Sequence, residues 1–392
     1  MTKAFIYDAV RTPRGKARSD GGLAHFTPQA LVNHLVGALD SRTGGVRDSA
    51  DAILLGCVGQ IGAQGGHIAM VSKLAAGLPE AAVAHTINNY CSSGLTAIGH
   101  AVSMVQAGQA ELVLAGGVEM MSRVPFMGDG AHYYSATDLP ADARYLPVVL
   151  GADRLAVSEG IERPALDAAT LMSQQRAAAA ERNPALIRSR VSLPGHADKP
   201  GLDREEAVRP DTSAASLAAM PPAFAPLAEQ YRAVFGDPID HRHTIAHAPP
   251  VADGAGLAVI ATEGKLGVRP RGRVVGFAES GGNPRSALLG GLDAMHRALA
   301  RASLTLADMD RIEFMESFAV TIAKLYRDEQ VDPDRVNVGG GHLAKGHPMG
   351  ATGAILLSAL LDALEEADAT LGLVVTTAAA GVGVAMVVER LS

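Results

Sequence analysis

Two residues of this chain pair a reactive side chain with a backbone setting suited to chemistry. Cys91 sits in NNYCSSGLTA, a sharp turn of small residues at the start of a predicted helix. Backbone N–H groups at such a helix end favour a thiolate, lower its pKa and can hold a developing oxyanion. His347 sits in KGHPMGATG, with glycines on both sides that let backbone and substrate come close. Imidazole titrates near neutrality and is the usual base for a thiol. Cys91 is therefore expected to be a nucleophile and His347 its base. The other cysteine, Cys57, lies inside the apolar run AILLGCVG and reads as core.

The two turns are alike. Cys91-Ser-Ser-Gly94-Leu-Thr96-Ala97 and His347-Pro-Met-Gly350-Ala-Thr352-Gly353 both follow C/H-x-x-G-x-T-small. Each opens a helix, and an apolar strand follows. Such self-similarity points to an internal duplication. It predicts that Cys91 and His347 occupy equivalent helix starts that converge on one site. Other histidines carry less. His241, His243 and His247 in DHRHTIAHAPP have no nearby cysteine and end in prolines, so they read as loop or pocket lining and not as a metal site. His342 in GGGHLAKG is close enough in sequence to line the site. The glycine runs VGGGH and AGGVE match neither a P-loop nor a dinucleotide turn.

The elements that position these turns alternate between strand and helix. AFIYDAV and AILLGCV read as buried strands. Leu95, Ile98, Val102 and Val105 recur at helical spacing before Gly108, and ELVLAGG follows as a strand. The middle differs, with PFMGDGAHYY, a long helix over PALDAATLMSQQRAAAAER opened by Pro164, and loops rich in Pro, Asp and His. The last third returns to α/β. RIEFMESFAV and RVNVGGG each read as a strand running into a loop, and GHPMGATGAILLSALLDALEEA as a turn and an amphipathic helix. Residues 369–388 carry no charge and are long enough to span a bilayer, but LGLVV and VGVAMVV flank the small-residue centre TTAAAG, which fits a buried strand–turn–strand better. The pattern predicts an α/β fold with halves at 1–119 and 251–392 and an inserted region at 120–250.

Composition narrows the function classes. The 392 residues are 48% hydrophobic and 19% charged, enough apolar chain to bury a large core. A net charge of −7, no Trp and 4% aromatic content argue against a nucleic-acid binder. Two cysteines supply neither a disulfide framework nor a four-thiolate zinc site, and the N-terminus lacks the pattern of a signal peptide. A reduced, cytoplasmic protein is the simplest expectation.

These residues resemble the thiolase family, the acyltransferases that make or cleave the carbon–carbon bond of 3-oxoacyl-CoA. The likeness runs from AVRTPRGK through NNYCSSGLTAIGHA, LAGGVEMMSRVP, MSQQRAAAA, RPDTS and DGAGLAV to GGGHLAKGHPMGATGA. It implies the thiolase fold, two duplicated five-layered α/β halves with an inserted loop domain, as a homodimer or homotetramer. It implies ping-pong acyl transfer through an acyl-Cys91 intermediate with His347 as base. Acyl-CoA and CoA are the implied partners, with no membrane, no nucleic acid, no metal and no cofactor beyond the coenzyme A thioester substrate. The implied substrate-binding residues are Leu150, His247, Met315, Glu316, Ser317, Phe318 and His342.

Three departures accompany the likeness. The family's second cysteine, in C-x-GGG-x-G, moves a proton at the substrate α-carbon; here VVTTAAAGVGVAM puts Thr377 or Ala378 at its place, and neither is a base near neutral pH. The family's N-E-A-F block reads Met315-Glu316-Ser317-Phe318, and methionine cannot hold the water that the asparagine holds. The pantetheine stretch T-A-G-N-x-S-G reads Thr244-Ile245-Ala246-His247-Ala248-Pro249-Pro250. Glu316 or His342 is the expected substitute base. The departures leave two other readings open: acyl transfer or thioester hydrolysis without carbon–carbon chemistry, and an acyl-CoA-binding subunit.

Overall fold

The opening run AFIYDAVR forms strand β1 (Ala4–Arg11), buried at every position. A continuous apolar strand needs cover on both faces. The computed structural model, which describes residues 2–195, 200–232, 239–286 and 288–391, shows how that cover is supplied. In chain order the further elements are β2 (Gly15–Lys16), α1 (Pro28–Thr43), α2 (Val46–Ser49), β3 (Ala52–Gly56), α3 (Ile68–Ala76), β4 (Val83–Ile87), α4 (Ser93–Gln106), β5 (Leu112–Met120), α5 (Val148–Ser158), α6 (Arg163–Ala180), α7 (Ala214–Ala218) and α8 (Ala225–Gln230). They continue with β6 (Ala252–Thr262), β7 (Gly272–Ser280), α9 (Gly290–Ala302), β8 (Arg311–Phe314), α10 (Ala319–Asp328), α11 (His342–Lys345), α12 (Thr352–Glu366), β9 (Leu371–Thr377) and β10 (Gly383–Arg390).

The strands lie in the order β4-β3-β5-β6-β1-β7-β10-β9-β8, with β2 beside β6. β1 and β7 share one residue pair, Ile6 with Gly272, so the path divides there into two sheets. Each sheet holds parallel strands joined by a crossover helix: β3 with β4 and β5 in one, β8 with β9 in the other. Helices α1 and α3 cover the outer face of the first sheet, Leu31, Leu35 and Ile68 packing with Ile53, Leu55 and Leu257. Helices α4 and α12 fill the space between the sheets, where Ile98, Val102, Leu357 and Leu360 meet Val113, Ile260, Val374 and Met386. Helices α9 and α10 cover the second sheet through Met295, Leu299 and Ile322 against Ile312, Leu373 and Val387. The stack is helix, sheet, helix pair, sheet, helix: the five layers expected of the fold.

The central layer corrects one sequence expectation. α12 is not amphipathic; it is buried nearly all round, Asp362 included. Sheets press on two of its faces, and Asp362 accepts from Ser189 N–H at 2.8 Å and from Arg271 at 3.1 Å. RVNVGGG forms no strand either. Asn337 is in the left-handed region at φ +47, which breaks an extended run, and its side chain caps β8 by bonding both polar backbone atoms of Phe314. β9 and β10 are the expected antiparallel pair, in register from Gly383 opposite Thr377 to Glu389 opposite Leu371. Among the described residues no helix is long and apolar enough to cross a membrane.

β5 and β6 are antiparallel neighbours from Leu112 opposite Ala261 to Met120 opposite Asp253. The chain between them leaves the sheet, builds α5 to α8, and returns. One buried carboxylate ties this excursion to the sheet. Glu205 bonds Arg11 at 2.5 Å and accepts from the Arg14 N–H at 2.9 Å, and all three side chains are buried. Burial alone would raise the Glu205 pKa, but Arg11 and Arg14 pull it down to about 2 from an ordinary 4.5. A depressed carboxylate stabilises the fold above its unfolded pKa, and that contribution fades as pH falls through the folded one. Glu205→Ala leaves two arginines buried without their partner and is expected to cost about 3–5 kcal/mol. Denaturant unfolding at neutral pH measures it, and the gap between the two proteins should narrow toward pH 2.

Candidate active site

The turn before α4 is built to present Cys91. Tyr90 takes φ +50, a left-handed conformation that costs a residue with a Cβ on the order of 1 kcal/mol. It is held there by its N–H donating to Asn88 Oδ1 at 3.0 Å and its carbonyl accepting from Ser93 N–H at 3.1 Å. The duplicated glycines bring the second turn against the first. A Cβ on Gly94 would stand 2.7 Å from the Gly350 carbonyl oxygen, and one on Gly353 would stand 2.4 Å from the Leu95 nitrogen. No side chain fits at either position, so α4 and α12 approach backbone to backbone.

Cys91 and His347 consequently line one cavity of about 1120 Å³. His347 Nδ1 lies 2.7 Å from Thr352 Oγ1, while its buried Nε2 has no hydrogen-bond partner. The backbone on both sides is fixed: His347 N–H donates to the Pro250 carbonyl at 2.8 Å, and Arg14 donates to the Gly346 carbonyl at 3.0 Å. Gly346 takes φ +94, and a Cβ there would press on Ala252 at 2.9 Å.

The electrostatics reverse the expected thiolate. Burial pushes the Cys91 thiol up to about 12, and the nearby Glu119 adds to the rise. Burial and then Arg14 hold His347 down at about 3. Desolvation of the charged form outweighs the helix end. The pair therefore rests as neutral thiol and neutral imidazole. Alkylation of Cys91 by iodoacetamide in the absence of substrate is expected to be slow at pH 7. It should climb about tenfold per pH unit above that, since the thiolate is the reacting form. A plateau below pH 9, followed by peptide mass mapping, would contradict the raised value.

Glu119 went unnoticed in the sequence, although it is the lone acid of the apolar strand LVLAGGVEM. It is fully buried and accepts from the N–H groups of Val58, Gly59 and Gly350 at 2.8, 3.0 and 3.1 Å, and from Gln64 at 2.7 Å. It joins the loop after β3 to the loop of His347. Cys57 is core, as expected, with its thiol 3.8 Å from Glu119.

The remaining sequence-derived residues divide. Met315, Ser317 and Phe318 line the cavity. Leu150 does not; it lies in the core around α5. His247 is turned away, with Nε2 2.7 Å from Asp167, and His241 and His243 both pair with Asp153 at 2.8 Å. None of these three lines the cavity, although their neighbours Ile245, Ala246 and Ala248 do. Asp153 of α5, fully buried, and Asp167 of α6, partly buried, draw the rings inward. No group of three or more metal-ligating side chains occurs among the described residues.

Neither expected substitute base reaches the cavity. Glu316 accepts from Ser173, Asn337 and the Leu343 N–H at 2.7, 3.0 and 3.0 Å, which occupies its carboxylate. His342 is fully buried behind His347, the ring centres 5.4 Å apart, and burial, Arg14 and His347 hold its pKa well below the ordinary value. Thr377 and Ala378 both line the cavity.

Residues 4–264 match the thiolase N-terminal domain and residues 268–390 the thiolase C-terminal domain. The chain is 34% identical over 402 residues to the 3-ketoacyl-CoA thiolase of Cronobacter sakazakii and 33% identical over 402 residues to that of Klebsiella pneumoniae, with 100% of each chain covered. Two solved structures share its fold. Human mitochondrial 3-ketoacyl-CoA thiolase superposes with a TM-score of 0.87 at 28% identity, and the Bacillus anthracis acetyl-CoA acetyltransferase with 0.86 at 27%. Both alignments cover 100% of this chain and 99% of the other. With the layered fold and full-length matches together, the chain belongs to the thiolase family. It is an acyltransferase, of the acyl-CoA C-acyltransferase type.

Proposed function

We propose that the chain moves acyl groups between 3-oxoacyl-CoA, acyl-CoA and CoA through a thioester on Cys91, with His347 as the base. The carrying observation is that one cavity receives both the Cys91 side chain and the unpartnered Nε2 of His347. In the tautomer whose Nδ1–H donates to Thr352, the Nε2 lone pair is free to take the thiol proton. Cys91 Sγ then bonds to the carbonyl carbon. The bond from that carbon to its leaving group breaks, and the leaving group takes the proton from His347. A second thiol reverses the sequence and releases the new thioester. Because thiol and imidazole rest neutral, the proton moves as the sulfur attacks.

The rest of the cavity supports a CoA substrate with an apolar acyl group. Lys16, Arg18 and Arg209 line it and are exposed, which suits phosphate groups at its mouth. Tyr90, Phe126, Tyr134, Tyr145, Phe224 and Phe318 also line it, in a chain with only 7 tyrosines and 8 phenylalanines. Tyr134 and Tyr145 pack ring to ring at 4.9 Å. A wall this aromatic favours a bulky acyl group over acetyl. Much of it comes from 120–250, which we read as the loop domain between thiolase halves at 1–119 and 251–392. We also read the chain as a homodimer or homotetramer, with the edge strand β4, its exposed Val83 and the exposed Leu74 of α3 as the surface that calls for a partner.

Intact-protein mass after mixing with acyl-CoAs of increasing size tests the reading. An acyl-sized gain, with matching release of CoA, is expected. An unchanged mass with every acyl-CoA and 3-oxoacyl-CoA would end it.

A further inference from the structure

Among the described residues, two buried polar side-chain atoms without a hydrogen-bond partner belong to residues that line the cavity. They are Nε2 of His347 and Oγ of Ser317. Ser317 is 4% exposed. A buried hydroxyl left unpaired costs stability, so one on the wall of the cavity that Cys91 and His347 share is a group waiting for a ligand. The turn around it is firmly set. Ser317 N–H donates to the Met315 carbonyl at 2.9 Å, and the neighbouring Glu316 is anchored by its three donors. Met315 and Phe318, the other side chains of this turn on the cavity wall, carry no donor.

We infer that the Ser317 hydroxyl donates a hydrogen bond to the thioester carbonyl oxygen and holds the negative charge that forms there when Cys91 attacks. The inference rests on the acyl-transfer reading above. As the Sγ–C bond forms, the carbonyl π pair moves onto oxygen and the thiol proton passes to His347 Nε2. The carbonyl then re-forms, the bond to the CoA sulfur breaks, and His347 returns the proton to that sulfur. Ser317 keeps its own proton throughout. A fixed donor acts where charge develops and needs no reorganisation at that moment.

The test is rapid-quench measurement of Cys91 acylation in the wild type, Ser317→Ala, and Ser317→Ala with Met315→Asn. Thermal unfolding and acyl-CoA affinity are measured alongside. Ser317→Ala is expected to lower the acylation rate constant about 10²–10³-fold. Affinity should be nearly unchanged, and the unfolding midpoint equal or higher, because an unsatisfied hydroxyl has been removed. Met315→Asn restores a donor to the same wall and should recover at least about tenfold, one donor's share of that loss. Acylation of Ser317→Ala within about threefold of wild type would overturn the inference, since one lost donor is expected to cost far more. A lowered unfolding midpoint would overturn it too, by showing the hydroxyl to be structural. A wild type that never acylates would overturn the acyl-transfer reading itself, and this shows before any variant is compared.

Discussion

Cys91→Ala is expected to abolish the acyl adduct and to lower acyl transfer on the order of 10⁶-fold, as when a covalent nucleophile is removed from a cooperating pair. His347→Ala should fall nearly as far. The double variant should fall little further, because nucleophile and base act as one unit. The geometry behind this is specific. Nε2 of His347 is the ring nitrogen left without a partner, and Thr352 occupies the other. Cys57 is the internal control. It is fully buried beside Glu119, and burial and that carboxylate raise its pKa well above the ordinary thiol range. The adduct should survive Cys57→Ser and map to Cys91 by peptide mass. An adduct that persists in Cys91→Ala, or a double variant far below either single one, would contradict a Cys91–His347 pair.

How the two side chains come together was largely legible. The turns are local: three positions, Cys91, Gly94 and Thr96, repeat as His347, Gly350 and Thr352. Each type has a nearby reason, a reactive group, a backbone approach, a helix start. The helical spacing of Leu95, Ile98, Val102 and Val105 also needed no distant partner, and all four are buried. What the sequence hid depends on distant chain. Glu205 meets Arg11 across 194 positions, and Glu119 meets Gly350 across 231. A lone acid in a strand gives no sign of which loops will close over it.

The misread side chains share that cause. His247 read as a substrate-binding residue because its acid, Asp167, lies eighty positions earlier. The polar Asp362 gave α12 a false solvent face, since nothing local tells that a second sheet covers it; Glu365 and Glu366, at the helix end, do reach the surface. The thiolate expected at Cys91 failed on magnitude. A helix end is worth about 0.3–1 kcal/mol when exposed, while burial shifts a pKa by several units. Once both turns lie between two sheets, desolvation wins.

The carbon–carbon step should respond to one added thiol. Sequence counting left Thr377 and Ala378 as alternatives for the missing cysteine, and β9 separates them. Thr376 Oγ1 donates to Ser92 Oγ at 3.0 Å, so it faces the turn of Cys91. Thr377 Oγ1 accepts from Gly291 N–H at 3.4 Å, on α9 and therefore on the opposite face. Ala378 is still extended, at φ −141, so strand alternation returns it to the side of Thr376. Thr377 and Ala378 both line the cavity, and Ala378 is the one of the two whose side chain lies on the side of the Cys91 turn. Ala378→Cys is expected to raise cleavage of 3-oxoacyl-CoA by about 10²-fold or more, the contribution typical of a placed acid–base group. Cys91 acylation by simple acyl-CoA should stay close to wild type, since that step moves no proton at carbon. The gain should fall away as pH rises through the added thiol's pKa, at about 8.5 or higher because burial opposes the thiolate, since cleavage draws on the thiol's proton. Thr377→Cys, directed at α9, should gain little. If the two variants behave alike, with both thiols present by titration, then the strand does not select the position. If neither variant gains, the carbon-bound proton already moves by His347, as in the leaving-group step proposed above.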